Sequence, residues 1–393
     1  MRLLFSPESY NLGETTRGIE VAHAAAKRGH DVLFHVYAER YLDLITESGH
    51  AVTRAEPQMS QAQADQIMAL DQGRSLRHPF SEGIVRRRVQ SEIRALKGVD
   101  AVVIGSNPTM YLSARIARVP LFFVRPYFIS RSHLMKVGDG HRAPRALRLA
   151  SHVVSFKPAS FRTVAAEFGL ALPRRTVELL SGDTDLVASL FPAIDGRQMA
   201  SRDIAVGPIH YRPNATLPSA LTSERRGRPL VYVGMGSSGS PTVLARILRQ
   251  LADQPLDVVV AGGVRLPATV TSSLGENIHL AGMVPEHRLR GRIDAAITHG
   301  GEGTVQAICR AGVPFAGYPM QAEQRWNITE CVRHGNALRL RSSDVRRGRI
   351  PRIIKTLLTD SSLRSSAAAL AQRMDGIDGP LAAVRAIERI ASE

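Results

Sequence analysis

Short runs of branched and aromatic residues alternate along the chain with stretches whose apolar positions recur every three or four residues. RLLFS (2–6), DVLFHV (31–36), DAVVIG (100–105), VPLFFV (119–124), HVVSF (152–156) and DIAVG (203–207) have the length of strands, and a helical pattern near 15–28 separates the first two. Their apolar residues are consecutive rather than alternate, which predicts parallel strands covered on both faces. A second series follows in LVYVGMG (230–236), LDVVVAGG (256–263), DAAITHGG (294–301) and VPFAGYP (313–319), with helices expected at 241–253, 303–311, 321–334, 342–358, 362–374 and 380–392. Between the two series, 207–229 is rich in Pro, Ser and Thr and has no period, so it reads as a linker. The polar, helix-patterned stretch 57–98 reads as an insertion.

The pattern predicts an α/β fold of two tandem Rossmann-like, doubly wound domains facing a central cleft. Their expected bounds are 1–207 and 230–375, joined by a linker at 208–229, with a C-terminal helix at 376–393 packing back on the first domain. A chain of 393 residues is longer than one typical core requires. Ligands of such sheets bind at the carboxyl ends of the strands, so the loops after each apolar run are where chemistry is expected.

Composition narrows the classes. No apolar run reaches the length of about 18 residues that a membrane span needs, and MRLLFSPESYNLG has too short an apolar core for a signal peptide. Cytoplasmic location is the simplest expectation. Cys309 and Cys331 are the only cysteines and lack metal-type spacing, which argues against a disulfide framework and a zinc site. The net charge of +16 favours anionic partners: nucleic acid, an anionic membrane surface, or phosphorylated small molecules. The other reading is a solvated, arginine-rich surface. Finger-type Cys/His spacings and aromatic RNA-binding patterns are missing, so no specific nucleic-acid binding is expected.

The densest motif is HGGEGTVQAICRAGVPFAGYPMQAEQRWNITECVRHG (299–335). Glycines directly after a buried strand open a helix whose first-turn amides lack partners. That arrangement accepts an anion, and glycine lets a phosphate approach the backbone. The whole pattern resembles the donor signature of the GT1-type, GT-B-fold nucleotide-sugar-dependent glycosyltransferases. That family includes the macrolide and antibiotic glycosyltransferases and the plant UDP-sugar enzymes. The resemblance runs nearly the full length: KRGHDV (27–32) is similar to the family's first strand–helix unit, and DIAVGPI (203–209) to the end of its first domain. VYVGMGSS (231–238) is similar to its glycine–serine turn, and AGMVPEHRL (281–289) to its base-contacting loop.

The resemblance implies inverting, metal-independent transfer of a sugar from a UDP- or dTDP-sugar to a hydroxyl of a small-molecule acceptor, a natural product. No cofactor beyond the donor is implied, and a monomer or homodimer is expected. It places the diphosphate at His299 and at the amides of Gly300, Gly301 and Gly303, with Gly236, Ser237 and Thr304 opposite. It places the sugar hydroxyls at Glu323 and Gln324, which the polar first turn of a helix also explains. Asn327 holds either the loop or the phosphate. Two positions depart from the family: Gln306 stands where a ribose-binding Glu is usual, and Pro285-Glu286 stands for PQ, leaving Val284 and Glu286 for the base. GDTD (182–185), flanked by VELLS and LVASLFP that read as strand and turn, is not expected to bind metal.

Acceptor contacts are expected in the first domain at Asn107, Arg125, Arg131 and His133. With Lys136 and Arg86 to Arg88 these make one side basic, which suits an anionic acceptor or peripheral contact with an anionic membrane. Competing classes are a peripheral membrane enzyme with a lipid or lipid-phosphate acceptor, and a GT-B epimerase or hydrolase. Glu14, after a glycine at the head of the first helix, stands where the family has its catalytic histidine. It is either the general base or a capping-box partner of Asn11, since the spacing suits both.

Overall fold

A computed structural model describes residues 1–71, 75, 78–135, 158–222, 227–236, 239–262 and 266–393. The strand expected at 152–156, Lys136 and Ser237 lie outside the described residues. The chain divides into two units, Met1–Ile209 with Asp378–Glu393, and His210–Ile377. Each is a parallel sheet covered by helices, the α/β architecture that the apolar runs predict.

In the first unit the strands are β1 (Arg2–Ser6), β2 (Asp31–Val36), β3 (Ala51–Arg54), β4 (Ala101–Ile104), β5 (Leu121–Arg125), β6 (Thr184–Val187) and β7 (Asp203–Ala205), in the order β3-β2-β1-β4-β5-β6-β7. In the second they are β8 (Leu230–Gly234), β9 (Asp257–Val260), β10 (Ile278–Leu280), β11 (Ala295–Thr298), β12 (Phe315–Gly317) and β13 (Ala337–Arg339), in the order β10-β9-β8-β11-β12-β13. Both orders reverse beside the first strand. Ser6 pairs level with Ile104, and Gly234 level with Thr298, so the two loops at each reversal leave the sheet side by side. Such a switch point leaves a crevice at the carboxyl edge.

The helices that matter for the site are α1 (Leu12–Lys27), α2 (Glu82–Ala95), α3 (Met110–Ala117), α4 (Ala159–Glu167), α5 (Glu302–Ala311) and α6 (Ala322–Arg333). Asn11 starts α1: its Oδ1 accepts from the amides of Gly13 at 3.0 Å and Glu14 at 3.4 Å. Ile19, Ala22 and Ala25 bury one face of α1. The C-terminal helix (Gly379–Ala391) packs on α1, and Glu388 accepts two hydrogen bonds from Arg28, at 2.8 and 2.9 Å. Cys309 of α5 and Cys331 of α6 meet as free, buried thiols, Sγ to Sγ 3.8 Å.

Several local expectations are corrected. The 57–98 stretch is not a simple insertion: α2 packs on α3 and α4, and Val85 and Val89 join the core cluster that contains Leu4, Val102 and Phe123. The run at 342–358 forms two helices, Ser342–Arg346 and Ile350–Thr359, because Gly348 takes φ +69° between them. The VELLS segment is a helical turn, Thr176–Leu179, rather than a strand.

The same α2 face that carries Val85 and Val89 buries Arg88 and Glu92. Arg88 is 1% exposed and donates to Glu8 and, at 3.3 Å, to Asn107 Oδ1, while its guanidinium lies 3.5 Å from the Tyr37 ring centre. Glu92 accepts from Tyr37 at 2.9 Å, Asn107 at 3.1 Å, Thr109 at 2.7 Å and from Ser113. Removing one member of a buried ionic set leaves the others uncompensated. Arg88→Met is expected to cost about 3–5 kcal/mol of unfolding free energy, and adding Glu8→Gln to recover part of it. Urea titrations check this, and an unchanged midpoint for Arg88→Met contradicts it.

Candidate functional site

The chemistry-bearing side chains gather at the two switch points. In the second unit, His299 follows β11 and Gly236 follows β8. His299 Nδ1 lies 3.4 Å from the Gly234 carbonyl, which only accepts, so the proton is assigned to Nδ1. Burial pushes the imidazole pKa down to about 4, against the Gly234 bond that pulls the other way. The ring is therefore neutral near pH 7. It is walled by glycine: a Cβ on Gly236 would lie 2.5 Å from its Cε1, and one on Gly301 would lie 2.6 Å from its Nε2. Gly236 also has φ +57°, which a side chain disfavours.

Gly301 is the N-cap of α5, and no side-chain hydrogen bond caps that helix among the described residues. The first-turn amides of Gly303 and Thr304 thus lack an acceptor within the helix and lie at its positive end. The Gly300 amide is not free for a ligand, because it donates to Thr298 Oγ1 at 3.2 Å. Asn327 Nδ2 donates to the Gly300 carbonyl at 3.0 Å, so of its two expected tasks it performs the loop-holding one here.

Three donor-side expectations land elsewhere. Thr304 Oγ1 donates to Glu286 at 3.1 Å, and Tyr232 OH donates to the same carboxylate oxygen. Glu286 therefore ties the 284–289 loop to β8 and α5, and burial pushes its carboxyl pKa up against those two hydrogen bonds. Gln324 forms the capping box of α6: its Oε1 accepts from Met320 at 2.9 Å and Gln321 at 3.1 Å, so this amide oxygen serves its own helix. Glu323 stays half-buried in the first turn of α6, Val284 is buried in the loop, and Gln306 is buried on α5.

In the first unit Glu14 is 7% exposed. It does not close a capping box with Asn11. Its carboxylate turns to the loop after β4, where Ser106 donates from its amide to Oε2 at 3.0 Å and from its hydroxyl to Oε1. That loop rests on the Arg88 cluster. Burial pushes the Glu8 carboxyl up to about 7 despite the attached Arg88, and Glu8 Oε2 has no hydrogen-bond partner among the described residues.

The basic acceptor side expected from sequence is corrected by burial. Arg125 binds Asp185 at 2.9 Å and Ser181 at 3.1 Å inside the unit. Arg131 donates to the Gly182 carbonyl and pairs with Asp203 at 3.4 Å. His133 is buried against the rings of Tyr127 and Phe128, with centroids at 5.2 and 5.4 Å. Asn107 is buried in the Arg88 cluster and also donates to Ser6 at 3.0 Å. Arg86 pairs with Glu167 at the surface. Among the described residues these side chains hold the unit together rather than form a free basic face, and of the arginines expected there Arg87 is the exposed one. The GDTD carboxylates are likewise engaged, Asp183 with Arg115 at 2.7 Å and Asp185 with Arg125. Among the described residues no group of three or more His, Cys, Asp or Glu is placed to hold a metal. No described helix is long and apolar enough to cross a membrane.

Sequence reasoning missed Glu8, Glu92, Ser106 and Tyr232, and it placed Arg88 on a basic acceptor side, whereas Arg88 is buried and bonded to Glu8. A signal did exist for two of them: positions 85, 88, 89 and 92 form one i, i+3, i+4, i+7 stripe, so Arg88 and Glu92 share the core-facing side of α2 with two valines.

The profile of the erythromycin biosynthesis protein CIII-like C-terminal domain matches residues 245–390. A PGL/p-HBAD biosynthesis glycosyltransferase of Mycobacterium tuberculosis is 27% identical over 191 residues, 49% of this chain and 44% of that protein. A PGL/p-HBAD biosynthesis rhamnosyltransferase of Mycobacterium bovis is 25% identical over 305 residues, 73% of this chain and 67% of that protein. The chain thus spans less than half the length of the first of these relatives. The crystal structure of the glycosyltransferase VinC in complex with dTDP superposes with a TM-score of 0.72, at 18% identity, covering 100% of each chain. The fold is GT-B, and the resemblance to the GT1-type glycosyltransferases that the motifs carry is borne out.

Two expectations follow from the site itself. Gly236→Ala strains a positive-φ turn and drives a methyl into His299. It should lower the stability of the second unit by about 1–3 kcal/mol, read as a fall in melting temperature, and a wild-type melt would contradict the wedge. The second concerns pH. Burial, the largest cause, holds His35, His210 and His299 at pKa values of about 4, 3 and 4, below the ordinary 6.5. Their share of stability is full above pH 6.5 and is lost as pH falls toward those values, at up to about 1.4 kcal/mol per pH unit each. Glu8, raised to about 7, acts oppositely: its share is full below 4.5 and lost as pH rises through 7. His50, also held at about 4, and His78 and His287, also lowered by burial, act with these three, while Asp203 and Glu286, raised by burial, act with Glu8. The lowered imidazoles outnumber the raised carboxyls, so denaturant midpoints should fall between pH 6.5 and 5, with a shallower slope in His35→Asn. Flat or rising midpoints would contradict this assignment.

Proposed function

We propose that this protein is an inverting, metal-independent glycosyltransferase that moves a sugar from a nucleoside diphosphate donor, UDP- or dTDP-linked, to a hydroxyl of a small-molecule natural product. The observation that carries the reading is the glycine-walled His299 turn at the N-terminus of α5, inside the segment that matches the erythromycin biosynthesis domain. The dTDP held by the structurally similar VinC supports a nucleoside diphosphate as ligand.

In this mechanism the diphosphate sits at the amides of Gly303 and Thr304, beside the turn that His299 shapes. The dipole of α5 offsets the charge that grows on the leaving group. Glu14 accepts the proton of the acceptor hydroxyl. The hydroxyl oxygen then forms a bond to the anomeric carbon from the face opposite the diphosphate, and the carbon–phosphate-oxygen bond breaks with its electron pair leaving on the diphosphate. The configuration inverts. Glu14 suits the base role better than His23 or His30. Those side chains lie farther along the chain and are engaged elsewhere, His23 with the Ser48 carbonyl at 3.2 Å and His30 with Glu388 at 2.8 Å.

A donor panel of UDP- and dTDP-sugars, read as nucleotide release with and without acceptor extracts, tests the class. Consumption of donor without any acceptor would favour a hydrolase or epimerase instead. Glu14→Gln is expected to keep the affinity for dTDP or UDP within about twofold and to lose about 10²–10⁴-fold in kcat. Wild-type turnover in that variant removes Glu14 as the base.

A further inference from the structure

Glu14 is held by both carboxylate oxygens, and both bonds come from one residue 92 positions away. We propose that Ser106 is the positioning residue of the base, and that Gly105 and Ser106 together form the seat that aims the Glu14 carboxylate. The inference rests on the reading of Glu14 as the base.

Four observations carry it. The Ser106 amide and hydroxyl take one oxygen each, which fixes the plane of the carboxylate rather than only its distance. Gly105 makes the close approach tolerable, since a Cβ there would lie 2.9 Å from Glu14 Cβ and 3.0 Å from its Oε2. The seat is itself fixed, because the next residue, Asn107, is buried and bonded to Ser6, Glu92 and Arg88. Lastly, Asn11 caps α1 unaided, so the helix end does not need the Glu14 side chain. A carboxylate offers about four acceptor sites. Ser106 fills two, and the remaining lone pairs keep a set direction toward an incoming hydroxyl. Orientation of this kind is worth rate, because a misaimed base must find its geometry at each turnover.

The test uses full-length protein, with dTDP-glucose or UDP-glucose as donor and 4-methylumbelliferone as a phenolic acceptor probe. Ser106→Ala is expected to lower kcat about tenfold to a hundredfold while leaving dTDP affinity unchanged. Ser106→Thr, which keeps the hydroxyl, should recover most of that loss. In a Glu14→Gln background Ser106→Ala should cost nothing more, because a seat without its carboxylate has no role. Crystals of Gly105→Ala should show the Glu14 side chain turned out of the loop, an observation that needs no turnover. Wild-type kcat in Ser106→Ala together with an inactive Glu14→Gln would overturn the seat and leave the base intact. Full additivity of the two substitutions, or an unmoved Glu14 in Gly105→Ala, would overturn it as well. Wild-type turnover in Glu14→Gln would instead sink the base reading, and the seat with it.

Discussion

Arg88 carries a full charge to a place that water does not reach, and the carboxyl edge of the first sheet is organised by the answer to that charge. Glu8 on the loop after β1, Glu92 on its own helix and Asn107 on the loop after β4 all converge on the same cluster. A buried ion costs several kcal/mol unless every partner is in place. The loops that supply the partners therefore cannot wander. One of them holds Ser106, and Ser106 holds Glu14. Rigidity is thus passed from an internal ion pair to the carboxylate with the strongest case for chemistry.

The second unit reaches a comparable result with backbone rather than charge. His299 is wedged between two glycine turns and turned by the Gly234 carbonyl, while Asn327 ties the Gly300 loop to α6 and Gln324 ties the segment before α6 to that helix. Glu286 spans Tyr232 and Thr304 from the side. The amides that remain available belong to the first turn of α5. Side chains that a motif reading assigns to ligand are, in part, the scaffold that presents those amides. Gln324 fixes the segment before its own helix, and Thr304 fixes the 284–289 loop through Glu286.

How much could be read in advance differs by interaction range. The central strands, their parallel arrangement and the glycine turn after β11 were legible, because a buried strand must be apolar on consecutive positions and an anion-binding turn needs small residues in a row. The shorter strands β3, β6, β10 and β13 were not expected, since runs of three or four residues carry too little of that pattern. The role of Arg125 and Arg131 was not. An arginine in a basic stretch reads as solvated, and only the approach of Asp185 and Asp203 from neighbouring strands turns it into an internal tie. The same applies to Asn107, whose position at a strand end suits a ligand contact as well as it suits the cluster that claims it. Glu14 was legible as a residue of interest but not in its contacts, since cap and base demand the same spacing from Asn11.

The sequence by itself determined the two α/β units, the strand ends at which chemistry belongs, and the His299 turn with its resemblance to nucleotide-sugar transferases. Each of these is written in periodicity or in local spacing, which the chain carries wherever it folds. Only the tertiary structure decided which charged side chains are buried, that Glu14 leaves its helix end for Ser106, and that Thr304 is bonded to Glu286 and Gln324 to the segment before its helix. The reason is physical: a hydrogen bond or ion pair acts over about 3 Å, and residues far apart in the chain come within that distance only once the sheet order and register are set.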